Sequence, residues 1–198
     1  MDPARGIATV LLCLYLPVAP IMLWMHLPAP LWRRLGRRSY LIHAPVYLAM
    51  VGATALLYPR IGSGPPAIPD ALYWPGAALV IAGLVLLAAT YRHINSWTAM
   101  AGPQLTNAES RRLITGGIYG AIRHPRYLVL LLGAWGNLLM LGGSVLLVAA
   151  IATTVLTPIL VRVEERELAT HFGDIWCDYA TRVPALFPRV RRSSGGGS

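Results

Sequence analysis

Ile122-Arg123-His124-Pro125-Arg126-Tyr127 opens an apolar run to Leu141; Gly142-Gly143-Ser144 interrupts it, and a second run, Val145 to Val161, ends just ahead of Glu164-Glu165. Two apolar runs joined by adjacent glycines read as a tight helical hairpin, because glycine adopts the backbone angles that a sharp turn needs. The first run is short for a bilayer crossing, which takes about 20 apolar residues. The turn therefore barely reaches the far surface. The ionisable residues flanking the hairpin then meet at one face, where membrane gives way to water.

Composition extends this reading to the whole chain. Of 198 residues, 13% are charged and 56% hydrophobic, and the mean hydropathy is +0.55. A soluble domain carries about 25% charged residues, so the chain reads as an integral membrane protein. Three further spans precede the hairpin: Gly6 to Trp24, kinked by Pro17 and Pro20; Tyr40 to Tyr58; and Trp74 to Tyr91. The predicted fold is all-α, a polytopic membrane protein with five transmembrane helices, the last two a helical hairpin, plus a C-terminal amphipathic cytoplasmic helix. That final helix is predicted from the apolar stripe Leu168, Phe172, Ile175, Trp176 and Tyr179, with Thr170, His171, Asp174 and Asp178 opposite and Pro184 as the stop. Residues 1–192 form a single membrane domain, with N-terminal helices within 6–58 and a cofactor-binding and catalytic region over 74–188. Residues 193–198 read as a linker-like tail. The first segment has a weak signal-peptide look, but a Pro follows Val18-Ala19 and the apolar run continues to Trp24, which favours a retained helix.

The net charge of +9 comes from a chain whose 17 basic residues are all arginine. They sit between apolar segments, which is the pattern of topology-setting charge and excludes nucleic acid as a partner. Arg33, Arg34, Arg37 and Arg38 follow the first span, Arg92, Arg111, Arg112, Arg123 and Arg126 the third, and Arg162, Arg166, Arg182, Arg189, Arg191 and Arg192 the fifth. Only Arg5 and Arg60 fall on the other side. The N-terminus is predicted outside and the C-terminus and active site in the cytoplasm, and the absence of Lys points to a bacterial inner membrane. Cys13 and Cys177 imply no disulfide, and neither they nor the scattered histidines form a metal motif.

The stretch from Arg92 to Arg126 is long for a connector in so small a protein. It contains Trp97, Gln104, Glu109 and Leu113-Ile114-Thr115-Gly116-Gly117-Ile118-Tyr119. Pro125 suits the first position of a helix, and free backbone donors near Arg126 and Tyr127 would suit a carboxylate or phosphate. The competing reading is that Arg123, His124 and Arg126 anchor the helix at the lipid headgroups. Glu164 and Glu165 lie at a membrane junction, where a carboxylate is costly unless paired or functional. The competing reading there is solvation or an ion pair to Arg162 or Arg166.

Taken in order, Leu113 to Tyr119, Arg123-His124-Pro125-Arg126-Tyr127, the hairpin, Glu164-Glu165, Phe172-Gly173, Tyr179 and Arg182-Val183-Pro184 resemble the isoprenylcysteine carboxyl methyltransferase family, relatives of the membrane phospholipid methyltransferases. The resemblance covers about half the chain. It implies a membrane methyltransferase that uses S-adenosylmethionine and acts on a lipophilic acceptor reached through the bilayer: a carboxylate, thiol or amine. It implies cofactor contacts at Gln104, Arg111, Arg112, Leu113, Ile114, Tyr119, His124, Pro125, Arg126, Tyr127 and Glu164. The family holds its substrate carboxylate with an arginine near the Glu pair; position 160 is Leu here and the nearest arginine is Arg162. Arg162, Glu165 and His124 are the candidate catalytic residues, the last two as bases should the acceptor need one. No metal is implied. The alternatives are an NADPH-dependent sterol or enone reductase, whose pattern has Asn where this chain has Arg126 and an acid near Val129 and Leu130, and a non-enzymatic membrane scaffold.

Overall fold

The computed structural model describes residues 36–61, 67–93 and 113–187, with separate positions before residue 36. Among the described residues the regular structure is entirely helical. A 3-10 turn at Gly36–Ser39 leads into α1, Tyr40–Ile61, and another at Asp70–Leu72 leads into α2, Tyr73–His93. A third, Gly117–Gly120, precedes α3, Pro125–Leu141, which is followed by α4, Ser144–Phe172, and α5, Asp174–Arg182. The segment Gly6 to Trp24 is described in part. Its helical Leu12 is 1% exposed and packs with Ala134 and Leu138 of α3 and Leu146 and Ala150 of α4.

Among the described residues, three helical stretches are long and apolar enough to cross a membrane: Leu41–Tyr58, Asp70–Arg92 and Ser144–Phe172. Pro125–Leu141 is apolar but shorter. Large apolar side chains on α1 point outward, including Leu41, Leu48 and Leu56, as suits a helix bathed in lipid. The length and composition are those of an integral membrane protein.

The predicted hairpin is α3 and α4. Gly142 and Gly143 take φ of 69° and 94°, left-handed values that cost other residues strain. The Gly142 N–H closes the end of α3 by donating to the Leu138 carbonyl at 2.8 Å. Across the hairpin, the Trp135 indole N–H donates to the Thr154 hydroxyl at 3.1 Å. That hydroxyl itself donates to the Ala150 carbonyl at 2.8 Å, so the apolar interface leaves neither group dry and unsatisfied.

α2 lies hard against α3 because both present glycine at the crossing. A Cβ on Gly136 would stand 2.7 Å from Val80 Cγ2 and 2.8 Å from the Gly76 carbonyl oxygen. Small residues let helix backbones approach closely where lipid supplies no hydrophobic drive. At about 1.5 Å per residue, the 29 residues of α4 outrun a hydrocarbon core of about 30 Å. Counted from Ser144, Glu164 and Glu165 come after the roughly 20 residues that such a core takes.

The predicted amphipathic helix is not one element. Its first half continues α4 to Phe172, and Gly173, at φ 54°, breaks the helix before α5. Most of the predicted stripe survives the break: Leu168, Phe172, Trp176 and Tyr179 pack together with Leu113 and Val183. Ile175 does not. It is 67% exposed, because the kink at Gly173 resets the register and turns that position outward.

Candidate active site

α3 starts where it does because Pro125 has no N–H to lose at a first helical position, while His124 before it keeps non-helical backbone at φ −123°. The His124 carbonyl accepts the N–H of Tyr127 at 3.2 Å and of Leu128 at 3.4 Å. The backbone donor at Tyr127, expected to be available to a ligand, is therefore spent inside the first turn.

The His124 side chain is buried between consecutive carboxylates of α4. Its Nδ1 lies 3.6 Å from Glu164 Oε2 and its Nε2 3.1 Å from Glu165 Oε1. Successive helix positions diverge by about 100°, so only a group lying between them can meet both. Glu164 also pairs with the Tyr127 hydroxyl. Glu165 Oε1 further accepts Arg123 Nε at 3.0 Å and Nη2 at 2.5 Å. Burial alone would push the His124 pKa down, but hydrogen bonds and charge from Glu164 and Glu165 outweigh it and bring the value up to about 9. At neutral pH the ring is an imidazolium, and the cluster holds two cations against two carboxylates.

A second layer comes from α5 and the segment after it. The Arg123 guanidinium lies 5.7 Å from the centre of the Trp176 ring. Its Nη1 donates to the Ala180 and Val183 carbonyls at 2.6 and 2.5 Å. The main-chain N–H groups of Arg123 and His124 donate to Pro184 and Ala185, each at 2.9 Å. Residues 183–187 thus form a strap across the start of α3, and Ala185 and Leu186 pack onto Tyr127, Leu130, Leu160 and Val161. The Tyr179 hydroxyl donates to the Tyr119 carbonyl at 2.6 Å. Burial pushes the pKa of Tyr119 and of Tyr179 up to about 12, so both remain neutral phenols. Tyr179→Phe removes this hydrogen bond between α5 and the Gly117–Gly120 turn and is expected to cost about 1 kcal/mol, read as a lower thermal midpoint in detergent.

Among the residues expected from sequence, the structure brings Tyr119, His124, Pro125, Arg126, Tyr127, Glu164 and Glu165 to this end of α3 and α4. Leu113 is half-buried in the Trp176–Tyr179 cluster, and Ile114 beside it is half-buried too. Arg162 is exposed, one helical turn before Glu165. Gln104, Arg111 and Arg112 lie outside the described residues. Among the described residues no group of three His, Cys, Asp or Glu side chains is placed to hold a metal ion, and carboxylates engage both His124 nitrogens. Arg123 is the residue that sequence reasoning undervalued. Quoted in the motif without a site role, with headgroup anchoring as the competing reading, it is 11% exposed and tied to α4, α5 and the strap. Its signal was its position beside His124 and ahead of a Glu pair.

A family model described as phospholipid methyltransferase matches residues 71–175, from just ahead of α2 into α5. Over 95 residues the chain is 36% identical to the cobalt-zinc-cadmium resistance protein CzcN of Cupriavidus metallidurans, covering 48% of this chain and 42% of that one. Over another 95 it is 34% identical to methanethiol S-methyltransferase 2 of Bradyrhizobium diazoefficiens, covering 48% and 35%. Over 120 residues it is 33% identical to the nickel-cobalt-cadmium resistance protein NccN of Alcaligenes xylosoxydans xylosoxydans, covering 59% and 53%. The chain thus spans about half or less of the length of these curated relatives. No solved structure matches it.

Proposed function

Because the chain belongs to the phospholipid methyltransferase family, we propose that it is a membrane methyltransferase moving the methyl group of S-adenosylmethionine to a small lipophilic acceptor, a thiol or a carboxylate. The observation that carries this reading is His124 held between Glu164 and Glu165 beneath the strap, within the stretch that the family model matches. A relative named as a methanethiol S-methyltransferase supports a thiol as the first acceptor to try. The arginine distribution favours a site on the cytoplasmic face of a bacterial inner membrane.

The donor set fits S-adenosylmethionine, an amino-acid zwitterion that also carries a sulfonium cation and an aromatic base. The His124 imidazolium positions Glu164 for its ammonium or ribose hydroxyls, and the neutral ring of Tyr119 suits its adenine. Arg126, half-buried at the start of α3, adds a cation on the same side. Bound there, the cofactor supplies a methyl group already activated by its sulfonium. The protein's work is alignment and exclusion of water, with the strap and α5 as the cover. A protonated His124, and a Glu165 already engaged by Arg123 and His124, favour holding roles for both over proton abstraction. The acceptor then reacts as an anion, its proton lost to water beforehand, and exposed Arg162 is the cation placed to meet it.

Titration of the detergent-purified protein tests this reading. S-adenosylmethionine and S-adenosylhomocysteine are expected to bind, and NADPH is not; binding of NADPH alone, or of none of the three, overturns it. Arg162→Ala is expected to leave cofactor affinity unchanged and to lower turnover of a lipophilic thiol about tenfold. Unchanged turnover removes Arg162 from the acceptor site.

A further inference from the structure

All three side-chain nitrogens of Arg123 are engaged, in two directions: Nε and Nη2 on Glu165 of α4, and Nη1 on the carbonyls of Ala180 and Val183. Ala180 lies in the last turn of α5 and Val183 is the residue that ends it, where helix carbonyls lack intrahelical partners and the helix dipole is negative. A guanidinium suits this double duty because its planar fork spreads five N–H donors over three nitrogens, where an ammonium donates from a single point. The main-chain N–H of the same residue holds the strap at Pro184.

We propose that Arg123 is a positioning residue that fastens the C-terminal strap and the end of α5 to Glu165, so that strap closure and the seating of Glu165 against His124 are one event. The proposal rests on the methyltransferase reading only in that the strap then closes over a bound methyl donor. The coupling follows from the shared guanidinium. With Glu165 seated, the fork is held in the plane that faces the two carbonyls; with the strap lifted, the guanidinium loses two of its acceptors and its grip on Glu165 slackens. Arg123 thereby acts on the reaction through Glu165 and His124, without itself touching the reacting atoms.

Limited proteolysis of the full chain in detergent, without cofactor, tests the tie. Arg182 is exposed and offers trypsin a site. The following Val183 is buried, and its N–H donates to the Tyr179 carbonyl at 3.1 Å, so the bond yields only when the strap lifts. Cleavage after Arg182, identified by product mass, is expected to be at least about tenfold faster in Arg123→Ala than in the unaltered protein, and intermediate in Arg123→Lys. Glu165→Gln touches no strap residue, yet it too is expected to speed cleavage, about threefold. An unaltered rate in Arg123→Ala overturns the proposal. So does an unaltered rate in Glu165→Gln, since Arg123 would then merely cap α5. If Arg123→Ala does not fold, Arg123→Lys and Glu165→Gln decide the matter by the same criterion. Because the readout needs no cofactor, a protein that fails to bind S-adenosylmethionine overturns the proposed function while leaving this result standing.

Discussion

His124→Ala is expected to weaken S-adenosylmethionine binding about a hundredfold, the scale set by removing one partner from a buried, hydrogen-bonded charge pair. Both ring nitrogens face carboxylates, so the alanine variant loses a contact that Glu164 and Glu165 share. The two acidic groups then repel across one helix step, and Glu164 loses the partner that holds it toward the donor. Folding suffers as well, by about 3 kcal/mol. The pH dependence gives a separate signature. The folded-state pKa of His124, about 9, stands above the 6.5 of an unperturbed imidazole. Its stabilisation is therefore complete below about pH 6.5 and is lost as pH rises through 9. The thermal midpoint of the unaltered protein should fall across that window, and that of His124→Ala should lack this fall. Unchanged cofactor affinity in the variant would remove His124 from the binding site.

Gly136→Val is expected to be the most damaging substitution away from the charged cluster. Even a single Cβ there would stand 2.7 Å from Val80 Cγ2, 2.8 Å from the Gly76 carbonyl oxygen and 3.1 Å from the Val80 nitrogen. Two of these obstacles are backbone, so no rotamer change relieves the clash and α2 must separate from α3. A loss of about 3 kcal/mol or more is expected, read as poor recovery of folded protein and a sharply lowered thermal midpoint. Because α3 begins at the candidate site, cofactor binding should fall with it. Gly52→Ala on α1 is the internal control: nothing lies within 4 Å of a Cβ there, so near-native stability is expected.

The hairpin was legible because its cause is local. Two apolar runs and a glycine pair admit few structures, and Gly142 and Gly143 adopt the left-handed angles that the pair suggested. The approach of Glu164 and Glu165 to His124 was legible only as a shared end of the hairpin, since polarity near a membrane surface says which residues meet water and not which meet each other. The tie from Arg123 to Ala180 spans 57 residues, and no periodicity within either segment encodes it. The break at Gly173 was hidden for a different reason. Helical spacing continues on both sides of it, so the apolar pattern reads as unbroken while the backbone angle of one residue redirects the chain and exposes Ile175. The close crossing at Gly76 and Gly136 likewise needs both helices in view at once.

Unequal arms have a consequence for how this protein enters its membrane. The 17 residues of α3 include Asn137, 2% exposed, whose Nδ2 donates to the Gly133 carbonyl and whose Oδ1 has no partner among the described residues. A segment that short, carrying an amide, partitions weakly into hydrocarbon by itself. The 29 residues of α4 partition strongly, and the two-glycine turn leaves almost no slack between them. Insertion of the short arm is therefore expected to depend on the long one, with the hairpin entering as a unit and both sides of the candidate site arriving at one surface together.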